Sequence, residues 1–340
     1  MSKDKKQKCC YIPERRGKVG GQAVLEGVMM KSGERVALTV RKDDGTKETK
    51  ISKFVSIRKK NKFFNLPIVR GVVNFIEMMK LSFSTLNDSA EMLGIDEEME
   101  ETKFEKWLKK HFGKSVMDFI MLVAMVLGIA LALFLFMFLP TFFTGLIERF
   151  TGDLGLWKSV IEGGFKVAIF VGYMLLVSLM KDIRRTFEFH GAEHKSIFCY
   201  EAGEELTVEN VKKHSRFHPR CGTSFMFVMI LLTIVVGLFI TWENKLLRVA
   251  IKILLMPIVM GVGYEFLMYA GKHDNFLIRA LSAPGLWMQR ITTKEPDEEQ
   301  IECAIMSLKA ALPDEFPPEE TGACTEEDGK DGENNTDATE

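Results

Sequence analysis

The five residues His190-Gly191-Ala192-Glu193-His194 carry two imidazoles one helical turn apart, with a carboxylate between them. If residues 184–200 are helical, positions i, i+3 and i+4 share one face, so His190, Glu193 and His194 point the same way. Two neutral imidazoles on one face can bind one divalent metal ion. The pattern therefore predicts a metal site with His190 and His194 as ligands.

Glu193 has three roles open to it at such a site: metal ligand, hydrogen-bond partner that orients a ligand, or general base. The spacing His-x-x-Glu-His recurs in one class of zinc peptidases. Five residues are a short motif, and two histidines at a membrane interface without a metal are the alternative interpretation. We favour metal binding with zinc as the expected ion, and Glu193 as the catalytic residue.

Other polar side chains in the same stretch are candidates for completing the metal shell. Glu201 falls on the same helix face, eleven residues after His190. His218 and Cys221 place an imidazole and a thiol across a short turn, an arrangement that resembles half of a zinc site. The alternative role for His218 and Cys221 is to cap the apolar segment that follows.

Three further candidates lie far from this stretch in sequence. Glu265 lies inside an apolar segment, where burying a carboxylate is costly and therefore indicates function, and it would reach the histidines only if the chain folds back. Gln22 and Glu26 belong to a glycine-rich run, residues 20–27, that lacks the lysine of a phosphate-binding loop. A tight structural turn is the alternative interpretation of that run.

The distribution of apolar residues predicts a mainly α-helical, polytopic membrane protein with about four transmembrane helices. Residues 119–139 and 223–242 contain no charged side chain over 21 and 20 positions. Each segment is long enough to cross a hydrocarbon core of about 30 Å as a helix. We place the spans at 117–139, 163–180, 223–242 and 248–270.

Lysine and arginine in the connecting segments predict the orientation, because they accumulate on the cytoplasmic side. Five lysines lie between residues 103 and 114, and eight basic residues between 181 and 220, whereas residues 140–162 hold only Arg149 and Lys158. We therefore expect a multi-pass protein of the inner membrane. Both termini and the histidine loop, residues 181–222, are predicted to be cytoplasmic.

The regions outside the spans have patterns of their own. After a basic tail, residues 1–17, residues 18–114 read as a cytoplasmic α+β region. Alternation of apolar and polar residues around Asp43-Asp44-Gly45 predicts a β-hairpin. The pattern of residues 66–92 predicts an amphipathic helix that lies on the membrane, on a partner helix, or in a domain core.

The C-terminal region continues after the last span. The pattern of residues 273–312 predicts a C-terminal helical segment with an apolar stripe at Ile301, Ala304, Ile305, Leu308 and Leu312. Residues 313–340 predict a disordered acidic tail.

The charge balance differs sharply between the two ends of the chain. Residues 1–62 contain 18 lysines and arginines against 7 acidic residues, and residues 295–340 contain 16 acidic residues against 2 lysines. The basic end predicts contact with the anionic inner leaflet of the lipid bilayer. Nucleic acid is the other usual partner of basic segments, but no aromatic platform or recognition motif accompanies the charge here, so we disfavour it.

Four motifs in the chain resemble those of a known family. They are the glycine-rich run continued to Met30, His190-Gly191-Ala192-Glu193-His194-Lys195, His218-Pro219-Arg220-Cys221-Gly222-Thr223-Ser224-Phe225, and Pro284-Gly285-Leu286-Trp287 with Thr292-Thr293-Lys294-Glu295-Pro296. Over residues 18–312 the chain resembles the YqhQ-like bacterial integral-membrane family of unknown function. The resemblance implies a membrane protein described as a predicted metal-dependent enzyme, with the glycine-rich run and the histidine loop at one cytoplasmic site. It implies no substrate.

Taken together, the residues favour a metal-dependent hydrolase that acts at the cytoplasmic face of the inner membrane. His190 and His194 are the expected ligands, and His218, Cys221 or Glu265 completes the shell. A non-enzymatic membrane scaffold or assembly factor, with a structural metal and a membrane-protein partner, is the alternative. A small transporter, resting on Glu265, is a further alternative.

Overall fold

The computed structural model describes residues 12–59, 61–95, 115–155, 157–240, 245–272, 275–317 and 324–326. Within these ranges the chain is mainly helical and carries a small β-sheet near its N-terminus, as predicted. Most of the basic tail, the lysine-rich residues 103–114 and most of the acidic tail lie outside the described residues.

The sheet is an antiparallel meander of four strands with a short parallel strand at one edge. The strands are β1 (Val19–Val24), β2 (Gly27–Ser32), β3 (Arg35–Arg41), β4 (Lys47–Lys53) and β5 (Cys324–Glu326), in that order across the sheet. The predicted hairpin around Asp43-Asp44-Gly45 is confirmed as β3 and β4, with Gly45 at a φ of +82°. The glycine-rich run is itself a hairpin, in which β1 turns into β2 at Leu25 and Glu26.

The helices account for most of the described chain. They are α1 (Val69–Met92), α2 (Ser115–Leu133), α3 (Leu139–Thr151), α4 (Trp157–Val177), α5 (Lys181–Ala202), α6 (Val208–Lys213), α7 (Gly222–Leu238), α8 (Lys245–Lys272), α9 (Phe276–Thr292) and α10 (Glu298–Ala311). A π-helical segment, Phe134–Phe138, joins α2 to α3. The predicted histidine loop is thus largely helix. The C-terminal helix α10 begins with a capping box between Asp297 and Gln300.

Three helices in the described part of the chain are long and apolar enough to cross a membrane, by length and composition. These segments are Met125–Thr151, Trp157–Val177 and Ala250–Tyr269. The predicted span at 223–242 is not among them: α7 has 17 residues, which cover about 25 Å as a helix, and residues 241–242 lie outside the described residues. The first predicted span, 117–139, lies within a continuous helical stretch, which the π-helical segment carries past Pro140 to Thr151.

The sheet lies between two helical layers. On one face, Met30, Ala37 and Ile51 pack against α5 and α10, and the predicted stripe of α10 is buried there. On the other face, Met29 and Leu38 pack against Leu81 of α1. Neighbouring residues such as Met29 and Met30 serve opposite faces because side chains alternate along a strand. The sheet therefore fixes the position of α5, which carries the paired histidines.

The first residues of the predicted acidic tail belong to this folded unit. Phe316 packs against the core between the sheet and α10. Glu315 forms ion pairs with Arg15 and Lys18, at distances of 3.1 Å and 2.6 Å. Residues 313–317 and the strand β5 thus differ from the prediction of a disordered tail.

The amphipathic helix predicted at residues 66–92 is present as α1, but its apolar stripe faces away from the sheet. The buried positions of α1 are Gly71, Glu77, Leu81, Thr85 and Ser89. Of the predicted apolar stripe, Ile76, Met79, Phe83 and Leu86 are exposed, as is the neighbouring Phe75, whereas Val69, Val72 and Val73 are half-buried. α1 thus packs on the sheet through Leu81, and the exposed part of its stripe lies outside that core.

The start of α1 is attached to α8, one of the three apolar helices. A Cβ atom on Gly71 would lie 2.9 Å from Cα of Gly261, so the two helices touch through their backbones. Beside this contact, Arg70 forms a two-point ion pair with Glu265. The positive charge of Arg70 thus compensates the negative charge of the Glu265 carboxylate.

Candidate metal centre

The helix α5 positions the paired histidines as the sequence predicts. It runs for 22 residues and ends at Gly203, whose φ of +74° is the left-handed conformation that closes many helices. Residues 191–201 of α5 are all buried. His190, Glu193 and His194 share the face that looks toward the turn before α7.

Three of the five predicted metal ligands converge. One ligand atom from each of His190, His194 and Cys221 lies within 4.8 Å of the others. Cys221 is the residue before α7, and its Sγ lies 3.3 Å from Nε2 of His190. The ring centroids of His190 and His194 are 4.4 Å apart. Ligands of a tetrahedral zinc ion are about 3.5 Å apart, given bonds of about 2.0–2.3 Å, so a small closure of this cluster would hold one ion.

Backbone carbonyls fix which ring nitrogens of the two histidines are free. Nδ1 of His190 lies 2.9 Å from the carbonyl oxygen of Thr292, and Nδ1 of His194 lies 2.5 Å from that of Arg216. A carbonyl oxygen can only accept, so both Nδ1 atoms carry the hydrogen, and in the neutral rings both Nε2 atoms keep a lone pair. Histidines that bind metals are usually oriented by this kind of bond.

His218 lies beside the cluster with the opposite tautomer. Its ring centroid is 5.5 Å from that of His194. Its Nδ1 accepts a hydrogen bond from the backbone N–H of Arg220 at 3.3 Å, so the neutral ring carries its hydrogen on Nε2. Burial, and then the neighbouring His194 and Arg220, lower the pKa of His218 well below its ordinary value. The structure therefore does not bring His218 into the group of convergent ligand atoms.

Glu193 faces the cluster from within the protein. Its Oε2 atom lies 4.0 Å from Nε2 of His190 and has no hydrogen-bond partner among the described residues. Burial raises the pKa of Glu193 to about 7, while His190 acts in the opposite direction. The strand β1 passes so close that a Cβ atom on Gly21 would lie 2.8 Å from Cγ of Glu193. The glycine-rich run and the histidine helix thus meet at this carboxylate.

The other predicted site residues have partners outside the cluster. Glu201 accepts the backbone N–H of Gly17 at 2.8 Å and forms an ion pair with Arg220, so it shapes the turn that carries Cys221. Glu26 pairs with Arg185. Gln22 accepts a hydrogen bond from Ser82 of α1 at 2.5 Å. Glu265, held by Arg70, is not among the residues that line the cavity at the cluster.

Residues that the sequence did not single out hold the cluster in place. Gln289 of α9 bonds to both the backbone N–H and the carbonyl oxygen of His218, each at 2.7 Å. The Thr292 and Arg216 carbonyls orient the two ligand histidines. Carbonyl acceptors leave no signal in residue type. The run from Thr292 to Pro296 contributed to the family resemblance but gave no indication of this role.

A cavity of about 510 Å³ opens beside the cluster. Its walls come from β1, α1, α5, the turn before α7 and α7 itself. They include residues 19–23, Ser82, Thr186, Phe187, His190, Glu193, His194, Ile197, His218, Arg220, Cys221, Gly222 and Met226. The candidate ligands and the Glu193 carboxylate therefore border a space that a small molecule or a short chain segment can enter.

A second group of side chains, Cys199, Glu204 and His214, also places its ligand atoms within 4.8 Å of one another. Burial raises the pKa of the Cys199 thiol to about 12. That thiol donates to the carbonyl oxygen of Glu205 at 3.5 Å, and His214 bonds to Glu204 at 3.2 Å. Each of the three side chains therefore already has a hydrogen-bond partner, and we assign no metal to this group.

Comparison with known proteins places the chain in a family. The model of the family described as "Protein of unknown function (DUF1385)" matches residues 66–314, and the chain belongs to this family of uncharacterised proteins. A relative named "Uncharacterized protein YqhQ", from Bacillus subtilis (strain 168), is 38% identical over 298 residues, which cover 86% of this chain and 92% of the relative. No solved structure matches the chain. The predicted YqhQ-like family is thus confirmed, and neither match names an activity.

Replacing Gln289 by leucine tests the support of the Cys221 turn. The change should destabilise the protein by about 2 kcal/mol or more, because it leaves the buried N–H and carbonyl of His218 without these partners. The apparent melting temperature of the detergent-purified protein measures the effect. Arg290→Leu, at the exposed neighbouring position, is the matched control. Equal melting temperatures for the two variants would contradict this account of the turn.

Proposed function

We propose that this protein is a metal-dependent hydrolase whose zinc ion is held by His190, His194 and Cys221. The observation that carries the proposal is the pair of Nδ1–carbonyl bonds, because they leave the Nε2 lone pairs of both histidines free, and the Nε2 atom of His190 lies 3.3 Å from the buried sulfur of Cys221. Three protein ligands leave one position of a tetrahedral site for water or substrate. When bound, zinc would polarise a substrate carbonyl and promote ionisation of water at neutral pH.

Glu193 is the proposed general base of this site. Its carboxylate is buried beside the ligand set, with one oxygen free of hydrogen bonds in the described part of the chain. A general base must reach the proton that it removes within hydrogen-bond distance, directly or through one water. The position of Glu193 next to His190, facing the cavity, meets that requirement without any large movement.

The same three ligands would also serve a structural zinc in a scaffold protein, so the role of Glu193 decides between the two functions. The transporter alternative rested on an intramembrane carboxylate at Glu265. Because Arg70 pairs with that carboxylate, we do not propose it.

A lipid bilayer is the proposed environment of α1 as well as of the apolar helices. The exposed stripe of α1 continues from the contact with α8, which lies within the apolar segment Ala250–Tyr269. Exposed Ile57, Phe63 and Leu66 precede α1, among the exposed lysines Lys59 and Lys62. Apolar and basic side chains on one surface are typical of segments that lie on anionic membranes. The cytoplasmic placement of the termini stays a prediction.

Fluorescence can test the position of α1. An environment-sensitive fluorescent amino acid replaces Phe83 in one variant and Glu91, which is also exposed, in the control. In vesicles that contain phosphatidylglycerol, the label at Phe83 should emit at shorter wavelength and be quenched by brominated lipid, because it lies among acyl chains. The label at Glu91 should not. A water-like emission at Phe83, without quenching, would exclude the bilayer as its partner.

Metal analysis tests the ligand set. Detergent-purified protein should contain about one equivalent of zinc, and His190→Ala, His194→Ala and Cys221→Ala should each lose most of it. His218→Gln should retain zinc, since His218 is not in the group of convergent ligand atoms that His190, His194 and Cys221 form. Elemental mass spectrometry gives the metal content and thermal unfolding reports the fold. Full zinc content in a folded His190→Ala variant would overturn the proposed site.

Glu193→Gln separates the enzyme from the scaffold. The amide keeps the size of the side chain but cannot take up a proton at neutral pH, so zinc content should remain and hydrolysis should fall by about 10²–10⁴-fold. The readouts are zinc content and the rate of hydrolysis of 4-nitrophenyl acetate by the full chain. Hydrolysis at the wild-type rate with normal zinc would exclude Glu193 as the base and favour the scaffold.

A further inference from the structure

The strand β1 is an edge strand whose outer backbone groups are free. Its only sheet neighbour in the described chain is β2. Because the hairpin turns through two residues, Val24 and Gly27 form the hydrogen-bonded pair that closes it, and the pairing alternates from there. Val19, Gly21 and Ala23 therefore direct their N–H and carbonyl groups away from β2. Within the described ranges these groups have no hydrogen-bond partner.

This free edge lies inside the cavity of the candidate metal centre. Residues 19–23 line the same space as His190, Glu193 and Cys221. Gly21 touches the side chain of Glu193, and a Cβ atom on Gly20 would meet nothing within 4 Å. Glycine in a strand often marks a place where another backbone approaches closely. A row of unpaired backbone donors and acceptors thus runs directly past the proposed catalytic carboxylate.

The edge also lacks the features that usually prevent pairing. Natural edge strands are commonly protected by proline, by charged side chains or by a bulge. The sequence of β1, Val-Gly-Gly-Gln-Ala-Val, contains no proline and no charge, and its register with β2 is continuous. Such an edge is suited to bind an extended peptide by strand addition.

We propose that the substrate is an extended polypeptide segment that pairs with β1 through the backbone of Gly21 and Ala23. The inference rests on the proposed hydrolase function and names its substrate class. Pairing at these residues would place a peptide bond beside Glu193 and the ligand cluster. Ser82 of α1 and Met226 of α7 line the same cavity, so the bound segment would contact both helices.

The reaction is then hydrolysis of a peptide bond. The oxygen of a water molecule bonds to the carbonyl carbon, while Glu193 takes up one proton of that water. The bond between carbon and nitrogen breaks, and the proton passes from Glu193 to the leaving nitrogen. The products are a carboxylic acid and an amine, the proton of the acid then passes to the amine to give a carboxylate and an ammonium group, and Glu193 returns to its starting state.

The test compares Ala23→Pro with Ala23→Ser in the full, zinc-loaded chain. Proline removes the outward N–H of residue 23 and is tolerated at a sheet edge, whereas serine keeps the N–H. The probe is an equimolar mixture of decapeptides of randomised sequence, with products identified by mass spectrometry. The wild type should cleave the mixture, and Ala23→Pro should lower kcat/KM at least about tenfold while Ala23→Ser does not. Equal values for the two variants would overturn strand pairing.

A second measurement applies if Ala23→Pro does not fold. Hydrogen exchange of β1 in Glu193→Gln, which should bind without cleaving, must slow when the peptide mixture is added. Unchanged exchange overturns the inference. If the wild type hydrolyses 4-nitrophenyl acetate but no peptide, the peptide substrate is excluded and the hydrolase function stands. If it hydrolyses neither, both proposals fail.

Discussion

The close packing of α5 between two backbone segments is the constraint on which the candidate site depends. On one side, β1 approaches Glu193 at Gly21. On the other, a side chain at Gly191 would overlap the carbonyl oxygen of Lys294, and the N–H of Lys294 bonds to the carbonyl of Phe187 at 2.8 Å. Neither glycine can carry a Cβ atom without displacing its neighbour. This packing holds the Thr292 carbonyl against Nδ1 of His190, so the tautomer of this candidate ligand follows from the packing of α5.

Residue types and helical spacing could predict the centre of the site but not its surroundings. A helix places positions 190, 193 and 194 on one face whatever surrounds it, and α5 confirms this. Cys221 and His218 looked equivalent in sequence, because spacing does not show which ring nitrogen carries the hydrogen. Of the two residues predicted at the site in the glycine-rich run, Gln22 lines the cavity and Glu26 pairs with Arg185, whereas the contact with Glu193 is made by Gly21. No periodicity connects residues 21 and 193, which are joined only by the packing of the sheet on α5.

In the apolar helices, too, the sequence predicted the segments but not all of their structure, for a different reason. Hydropathy predicted the apolar segments, and three of the four are helices long enough to span a bilayer. The length of a helix also depends on where its ends are fixed. α7 starts at Gly222, directly after the turn that Gln289 holds through the backbone of His218, and ends at Leu238. Likewise, the apolar stripe of α1 was visible in sequence. The sequence did not show that this stripe is exposed, because the side of α1 that packs inward is formed by small and polar residues such as Gly71 and Ser89.

Charge balance gives an independent reason why the ligand cluster suits a divalent cation. Glu193 is a buried carboxylate, and burying an unpaired charge is costly. Its described electrostatic partner is the imidazole of His190, whose Nε2 carries no hydrogen in the neutral ring. A divalent ion with one thiolate and two neutral imidazoles has a net charge of +1, which would compensate a carboxylate about 4 Å away in a medium of low polarity. With Cys221 as a thiolate and Glu193 ionised, a dication brings the charge of the ligands, the ion and Glu193 close to zero, which connects the geometry of the ligands to the burial of the proposed base.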